Sequence, residues 1–284
     1  MKRNKTALVT GCSSGIGYST CLLLARNNFK VYGTVRNLSK AKKIQEVIDK
    51  EKIPLKIILL DVNDSESIQN AIRDILYDSR KIDVLINNAG YGMFGPIEDI
   101  TTEDVKLQFE TNFFGVIRLI KEIVPIMRKQ GNGTIVNISS MVGRFGVPLN
   151  AAYVSSKFAI EGLSESISYE LAEFGIKIIV IEPGVVQTNF FNNLKINGLD
   201  TSSPYYELMK KRVSFLKIAM KNSPTSSSQV ANTILDSLNS KRPEFRYVIG
   251  MDAKNSIQKK GSLSDKKFMK WVSDGIFQGK PFSR

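Results

Sequence analysis

The chain predicts an α/β fold: a doubly wound parallel sheet of seven strands with helices on both faces, on two observations. Short apolar runs near 6–10, 30–35, 56–60, 83–87, 134–139, 177–181 and 246–249 alternate with helical patterns. Strands that return in the same direction through helices form a parallel sheet, and right-handed crossovers put those helices on both faces. The first run also passes directly into Gly11-Cys12-Ser13-Ser14-Gly15-Ile16-Gly17, a turn suited to phosphate at the start of such a sheet. With 284 residues, 42% of them hydrophobic and 24% charged, the chain can bury a full core as one domain with elaborations. No linker, internal repeat or low-complexity block divides it.

In chain order, the strand at 6–10 leads through the glycine turn into a helix carrying Leu22, Leu23, Leu24 and Ala25. Glycines let backbone approach a pyrophosphate, and the helix start after Gly15 aims unpaired N–H groups and a positive dipole end at the anion. The spacing is G-x-x-x-G-x-G, not the generic G-x-G-x-x-G, so its position after the first strand carries the reading. The second strand ends Val31-Tyr32-Gly33-Thr34-Val35-Arg36. NAD sites of this fold place an acid there, on the ribose 2′-hydroxyl. Val35 occupies that place and Arg36 follows, able to pair bidentately with a 2′-phosphate while Ser14 adds a hydroxyl donor. NADP(H) is the expected cofactor; the alternative is that Arg36 is a solvated loop residue. A long helix at 102–129 contains Pro125, which predicts a kink or early break near it.

The strand at 134–139 delivers Ser140 to the carboxyl edge of the sheet. The helix expected at 151–174 sets Tyr153 and Lys157 at i and i+4, neighbours on one face. A free tyrosine titrates near ~10, and an ammonium beside it favours the phenolate, so the pair predicts a tyrosine lowered toward working pH as acid or base. Ser140 would give a second hydrogen bond to the same substrate oxygen. Taken alone, Tyr-x-x-x-Lys is a common accident on solvated helices. The glycine turn is an independent signal for the same chemistry. Further on, the serine-rich 223–228 reads as a loop leading to a helix cap before Val230.

At these residues the chain resembles the short-chain dehydrogenases/reductases. Thr10 to Gly17 match the family's TGxxxGIG, Asn87-Asn88-Ala89-Gly90 its NNAG, Asn112 its helix asparagine, and Ser140, Tyr153 and Lys157 its catalytic trio. Pro183-Gly184-Val185-Val186-Gln187-Thr188 matches PGxVxT. The resemblance spans roughly 5–190 and implies strand order 3-2-1-4-5-6-7 and hydride exchange at a carbonyl or carbinol carbon. It implies Tyr153 as acid or base, Ser140 orienting the substrate oxygen, and Lys157 lowering the tyrosine pKa and holding the nicotinamide ribose. Asn112 would bend its helix and fix a water behind Lys157. Asp61 and Val62 would meet the adenine. Asn88, Ala89, Gly90, Pro183, Gly184, Val186 and Thr188 join Gly11, Ser13, Ser14, Gly15, Ile16, Gly17 and Arg36 as expected cofactor contacts. Within the family, the stretch around Tyr153 is most similar to 17β-hydroxysteroid and retinol dehydrogenases. The chain lacks the lid histidine expected of the steroid enzymes.

Composition narrows the function. The absence of histidine excludes Ser-His-Asp catalysis, and the two cysteines, Cys12 and Cys21, build neither a metal cluster nor a disulfide framework. No metal is expected. A net charge of +13 raises the question of nucleic acid, but the lysines are scattered, so none is expected as a partner. The basic tail, with Phe268, Trp271, Val272 and Phe277, fits a short amphipathic helix docked on the body. No run approaches the ~20 apolar residues of a membrane span, and the opening residues lead straight into a strand, so a cytoplasmic protein is expected. Met93, Phe94, Met141, Val142, Phe145, Val147, Phe190 and Phe191 are candidates for an apolar pocket under a lid near 190–224, though such residues also serve as ordinary core. The expected substrate is a small apolar carbonyl or alcohol; the resemblance, not the composition, implies a homodimer or homotetramer, paired through the helices at 102–129 and 151–174. A catalytically silent NADP(H) sensor is the main alternative. An epimerase or dehydratase of the extended relatives fits the GCSSGIG spacing less well.

Overall fold

The computed structural model describes residues 4–188, 190, 194–222 and 225–279. Seven strands form one parallel sheet: β1 (Thr6–Val9), β2 (Lys30–Val35), β3 (Leu55–Leu59), β4 (Val84–Asn87), β6 (Gly133–Ile138), β7 (Ile176–Pro183) and β9 (Arg246–Ile249), in the order β3-β2-β1-β4-β6-β7-β9. Counted within this sheet alone, that is the expected 3-2-1-4-5-6-7. The central strands are buried on both faces, as their continuous apolar sequences require. Two further strands, β5 (Met93–Phe94) and β8 (Lys195–Ile196), form a separate parallel pair that the sequence pattern does not reveal.

Helices α1 (Gly15–Arg26) and α8 (Ser227–Asn239) pack together on one face. There Leu24, Val31, Ile86, Ile179 and Ile234 share one core cluster. The other face carries α3 (Ser65–Ser79), α5 (Gly115–Gln130) and α6 (Ala151–Ala172), with Leu8, Ile75, Leu85, Ile123 and Ile160 beneath them. Helix α8 begins in a capping box between Ser226 and Gln229, as its serine-rich approach predicts; Ser223 and Pro224 lie outside the described residues.

The long helix breaks elsewhere than expected. It divides into α4 (Thr102–Phe109), a π-helical turn at Glu110–Phe114, and α5, which runs on through Pro125. Pro125 and Lys121, whose carbonyl the proline leaves without its intrahelical donor, are both exposed, so water can serve that carbonyl and the helix continues. The irregular turn sits at Asn112, where the family resemblance, unlike the proline, placed a bend.

The basic tail folds into α9 (Met251–Ser262) and α10 (Asp265–Phe277). Phe268, Val272 and Ile276 are buried against Phe145, with Trp271 and Phe277 packed alongside. The apolar side of the tail therefore docks as expected. Helix α7 (Tyr206–Asn222) packs against α10. Among the described residues no helix is long and apolar enough to cross a membrane.

Candidate active site

The carboxyl ends of the parallel strands open into a cavity of about 1450 Å³. A drug-sized ligand takes roughly 300–1,000 Å³, so this space suits a dinucleotide and a second small molecule together. Gly11, Ser13, Ser14, Gly15 and Ile16 line one end. Gly11 and Gly15 have φ of 71° and 63°, the left-handed region that glycine enters without strain. Ser14 is the N-cap of α1 but makes no capping hydrogen bond, and the first turn holds no acid. Its amides thus face the cavity without a competing anion. Gly17 stands behind this wall: a Cβ there would overlap the Gly11 carbonyl oxygen and come 2.5 Å from Asn88 Nδ2. Asn88 fastens the turn by donating from Nδ2 to the carbonyls of Thr10 (2.9 Å) and Gly11 (3.0 Å). Cys12 and Cys21 are both free and buried, and both sulfurs crowd the position a Cβ on Gly33 would take.

Arg36 is exposed at the cavity rim and makes no ion pair among the described residues. Asn37 and Lys40 line the cavity beside it, and sequence reasoning missed both. Asp61, Val62, Ala89 and Gly90 form the next stretch of wall, and Pro183, Gly184, Val186 and Thr188 face them. The Thr188 side chain packs over Gly15. Asp252, also missed, accepts a hydrogen bond from the Val185 amide at 2.7 Å and holds that segment from the start of α9.

Ser140, Tyr153 and Lys157 meet deeper in the cavity. Ser140 Oγ donates to the Pro183 carbonyl at 3.5 Å and accepts from the Val142 amide at 3.3 Å. It also hydrogen-bonds the Tyr153 phenol. Lys157 Nζ donates to the Ile138 carbonyl at 2.7 Å and lies 5.6 Å from the Tyr153 ring centroid. Tyr153 borders the open cleft on one side, yet burial pushes its phenol up to about 12, opposed only by the Ser140 hydrogen bond. The sequence-based expectation of a lowered tyrosine pKa is therefore reversed. The cause is desolvation, which also pulls Lys157 down to about 8 and so weakens the cation that was to act on the phenol.

Behind Lys157, Glu161 one turn on opposes that fall electrostatically. Glu161 belongs to a buried cluster: Arg246 reaches Glu161 at 3.0 Å and Glu182 at 3.3 Å, and Arg144 reaches Glu182 at 2.9 Å. These four residues carry no sequence signal, because only the stacking of α6, β7, β9 and the segment after β6 that carries Arg144 brings them together. Asn112 is buried and does not line the cavity. Its Oδ1 accepts from the Tyr91 amide at 3.1 Å, and its Nδ2 donates to the Tyr91 carbonyl at 3.0 Å and to Ser156 Oγ at 3.3 Å. The side chain thus clamps the loop after β4 onto α6.

Of the candidate pocket residues, Phe94, Met141, Val142, Val147 and Phe190 line the cavity. Met93 and Phe145 are instead buried in core clusters, and Phe191 lies outside the described residues. The Phe190 ring sits 5.8 Å from that of Tyr153. Early in the stretch expected to form a lid, β8 pairs with β5 and the Lys195 ammonium meets Asp104. Helix α7 and Ile276 and Phe277 of α10 complete the wall. Among the described residues no cluster of Cys, Asp and Glu side chains converges as a metal site.

A profile of the short chain dehydrogenase family matches residues 5–197. The 3-ketodihydrosphingosine reductase of Bacteroides thetaiotaomicron is 40% identical over 199 residues, 70% of each chain. Human retinol dehydrogenase 8 is 35% identical, covering 85% of this chain and 80% of its own. Human 17-beta-hydroxysteroid dehydrogenase type 1 is 33% identical, covering 84% and 76%. Among solved structures, a short-chain dehydrogenase from Streptomyces avermitilis superposes with a TM-score of 0.84 at 30% identity, covering 97% of this chain and 99% of that one. ElxO with NADP bound gives 0.71 at 28% identity over 87% and 97%. A Burkholderia phymatum protein in complex with NAD shares the fold at 20% identity, with a TM-score of 0.79 over 94% and 95%.

Proposed function

The chain belongs to the short-chain dehydrogenase family, and from that premise we propose that it is an NADP(H)-dependent oxidoreductase interconverting an apolar alcohol and its ketone or aldehyde. The observation that carries this reading is the meeting of the Ser140 hydroxyl, the Tyr153 phenol and Lys157 in the same cavity as the glycine turn. The bound cofactor supplies the hydride that converts carbonyl carbon to carbinol carbon. Tyr153 gives its proton to the substrate oxygen in reduction and takes one back in oxidation, and Ser140 orients that oxygen. A phenol held protonated by burial suits the reductive direction at neutral pH. Lys157, fixed at the Ile138 carbonyl, keeps a positive charge beside the tyrosine while it remains protonated. Arg36, with Lys40 close by on the rim, favours the 2′-phosphate of NADP(H) over NAD(H). We read the chain as a single dinucleotide-binding domain with a substrate lid near 190–224, assembled as a homodimer or homotetramer.

Tyr153→Phe tests the chemistry. NADPH binding, read by fluorescence titration, should persist while carbonyl reduction falls by roughly 10²–10⁴. Turnover at the wild-type rate in that variant would remove Tyr153 from the reaction. Intact cofactor binding with no NADPH oxidation by a broad panel of aldehydes and ketones, and no NADP⁺ reduction by the matching alcohols, would favour a sensor instead.

A further inference from the structure

Helix α7 brings a basic residue to the cavity that the proposed chemistry does not use. Arg212 lines the cavity and is only 4% exposed. Its guanidinium stacks over the Phe94 ring at 5.1 Å and the Phe215 ring at 5.6 Å. Stacking engages the faces of the guanidinium and leaves its N–H edges to find acceptors. Nε is buried without a hydrogen-bond partner, and among the described residues no carboxylate forms an ion pair with Arg212. Glu207, on the same helix and also at the cavity, is exposed and pairs with Lys210. Burial alone pulls the guanidinium down to about 10, with no neighbouring charge opposing it.

A guanidinium removed from water without a counter-charge is costly, and such groups are normally paired. Among the described residues nothing supplies that partner, and the cavity that Arg212 lines gives a ligand access to it. The groups placed directly against the guanidinium are the Phe94 and Phe215 rings, and Val147 and Leu216 are further apolar residues of the same cavity. We propose that Arg212 receives the carboxylate of the substrate, so that the protein acts on an amphipathic oxo or hydroxy acid whose apolar body spans from Tyr153 to Arg212. The planar fork of Arg212 matches a carboxylate through two parallel hydrogen bonds. The same charge repels a substrate ending in an amine. This assignment rests on the oxidoreductase reading for the reacting end of the substrate, and concerns only the end remote from it.

The test combines binding with turnover. Thermal shifts are measured with NADP⁺ present, for unreactive straight-chain carboxylates of eight to sixteen carbons, and for the matching alcohols and amines. Rates of NADPH oxidation are then compared for ω-oxo acids and their methyl esters over the same lengths. The expected result is a rise in Tm with carboxylates that exceeds any with alcohols or amines. At the best length, kcat/KM for the acid should exceed that for the ester by roughly ten- to hundredfold, the range of one charge-assisted contact. Arg212→Met should bring that ratio to about one, and Arg212→Lys should retain part of it. Equal acids and esters in the unaltered protein, or a preference surviving in Arg212→Met, would overturn the assignment. Should Arg212→Met fail to fold, the acid-to-ester ratio and Arg212→Lys decide alone. A carboxylate shift that depends on Arg212, without turnover of any substrate, would sink the oxidoreductase reading and leave the carboxylate site standing.

Discussion

At the residue scale, the central fact is that burial acts in opposite directions on Tyr153 and Lys157. It raises the phenol to about 12 and lowers the ammonium to about 8, so both neutral forms are favoured. The sign follows for activity. Because kcat/KM reports the ionisations of the free protein, the alkaline limb for carbonyl reduction should fall near 8, where Lys157 loses its charge, and not near 12. In Lys157→Met the limb at 8 should vanish, leaving a low rate flat across it. A limb unchanged in that variant would assign the titration to another group. Arg36 carries the second prediction at this scale. The unaltered protein should prefer NADPH over NADH by roughly ten- to hundredfold in kcat/KM, the worth of one charged hydrogen bond, and Arg36→Leu should erase most of that preference. A native preference for NADH would refute the role of Arg36.

At the element scale, the strand–turn–helix of β1 and α1 is where backbone chemistry is least forgiving. A Cβ on Gly17 would press on the Gly11 carbonyl and on Asn88 Nδ2, 2.5 Å away. Gly17→Ala should therefore cost about 1–3 kcal/mol by overpacking and weaken NADPH binding, because the turn must shift from the position that Asn88 holds. An unchanged Tm together with unchanged affinity would show that the turn gives way freely. The turn was legible in the sequence because glycine spacing records backbone geometry directly. The central strands were legible because a strand buried on both faces is an uninterrupted apolar run, and the edge strands β3 and β9 because short apolar runs recur between helices. The β5–β8 pair was not, since two-residue strands carry no periodicity. The break expected near Pro125 did not occur, while the irregular turn at Asn112 was anticipated only through the family resemblance, because a shift to i→i+5 bonding leaves no trace in composition. Arg212 and the Glu161–Glu182–Arg246 cluster were illegible for another reason. Within Lys210-Lys211-Arg212 a basic residue reads as solvated surface, and only tertiary packing shows which of the three is buried.

At the scale of the whole molecule, Leu107, Phe114, Phe158 and Tyr169 remain exposed on α4, the π-helical turn and α6, elements in mutual contact. Exposed apolar side chains gathered on neighbouring elements mark an association surface. The protein is expected to sediment as a dimer or tetramer, and Phe158→Asp, which sets like charges against each other across a two-fold contact, should reduce its mass to that of a smaller species. A monomeric parent protein, or a variant of unchanged mass, would place the contact elsewhere. The route by which α10 returns to pack on Phe145 and contribute Ile276 and Phe277 to the cavity bears on how the protein is made. Translation delivers the glycine turn first and the last wall of the cavity much later, while folding proceeds from the N-terminal side. A nascent polypeptide thus acquires the glycine-lined end of its chamber well before the opposite wall exists.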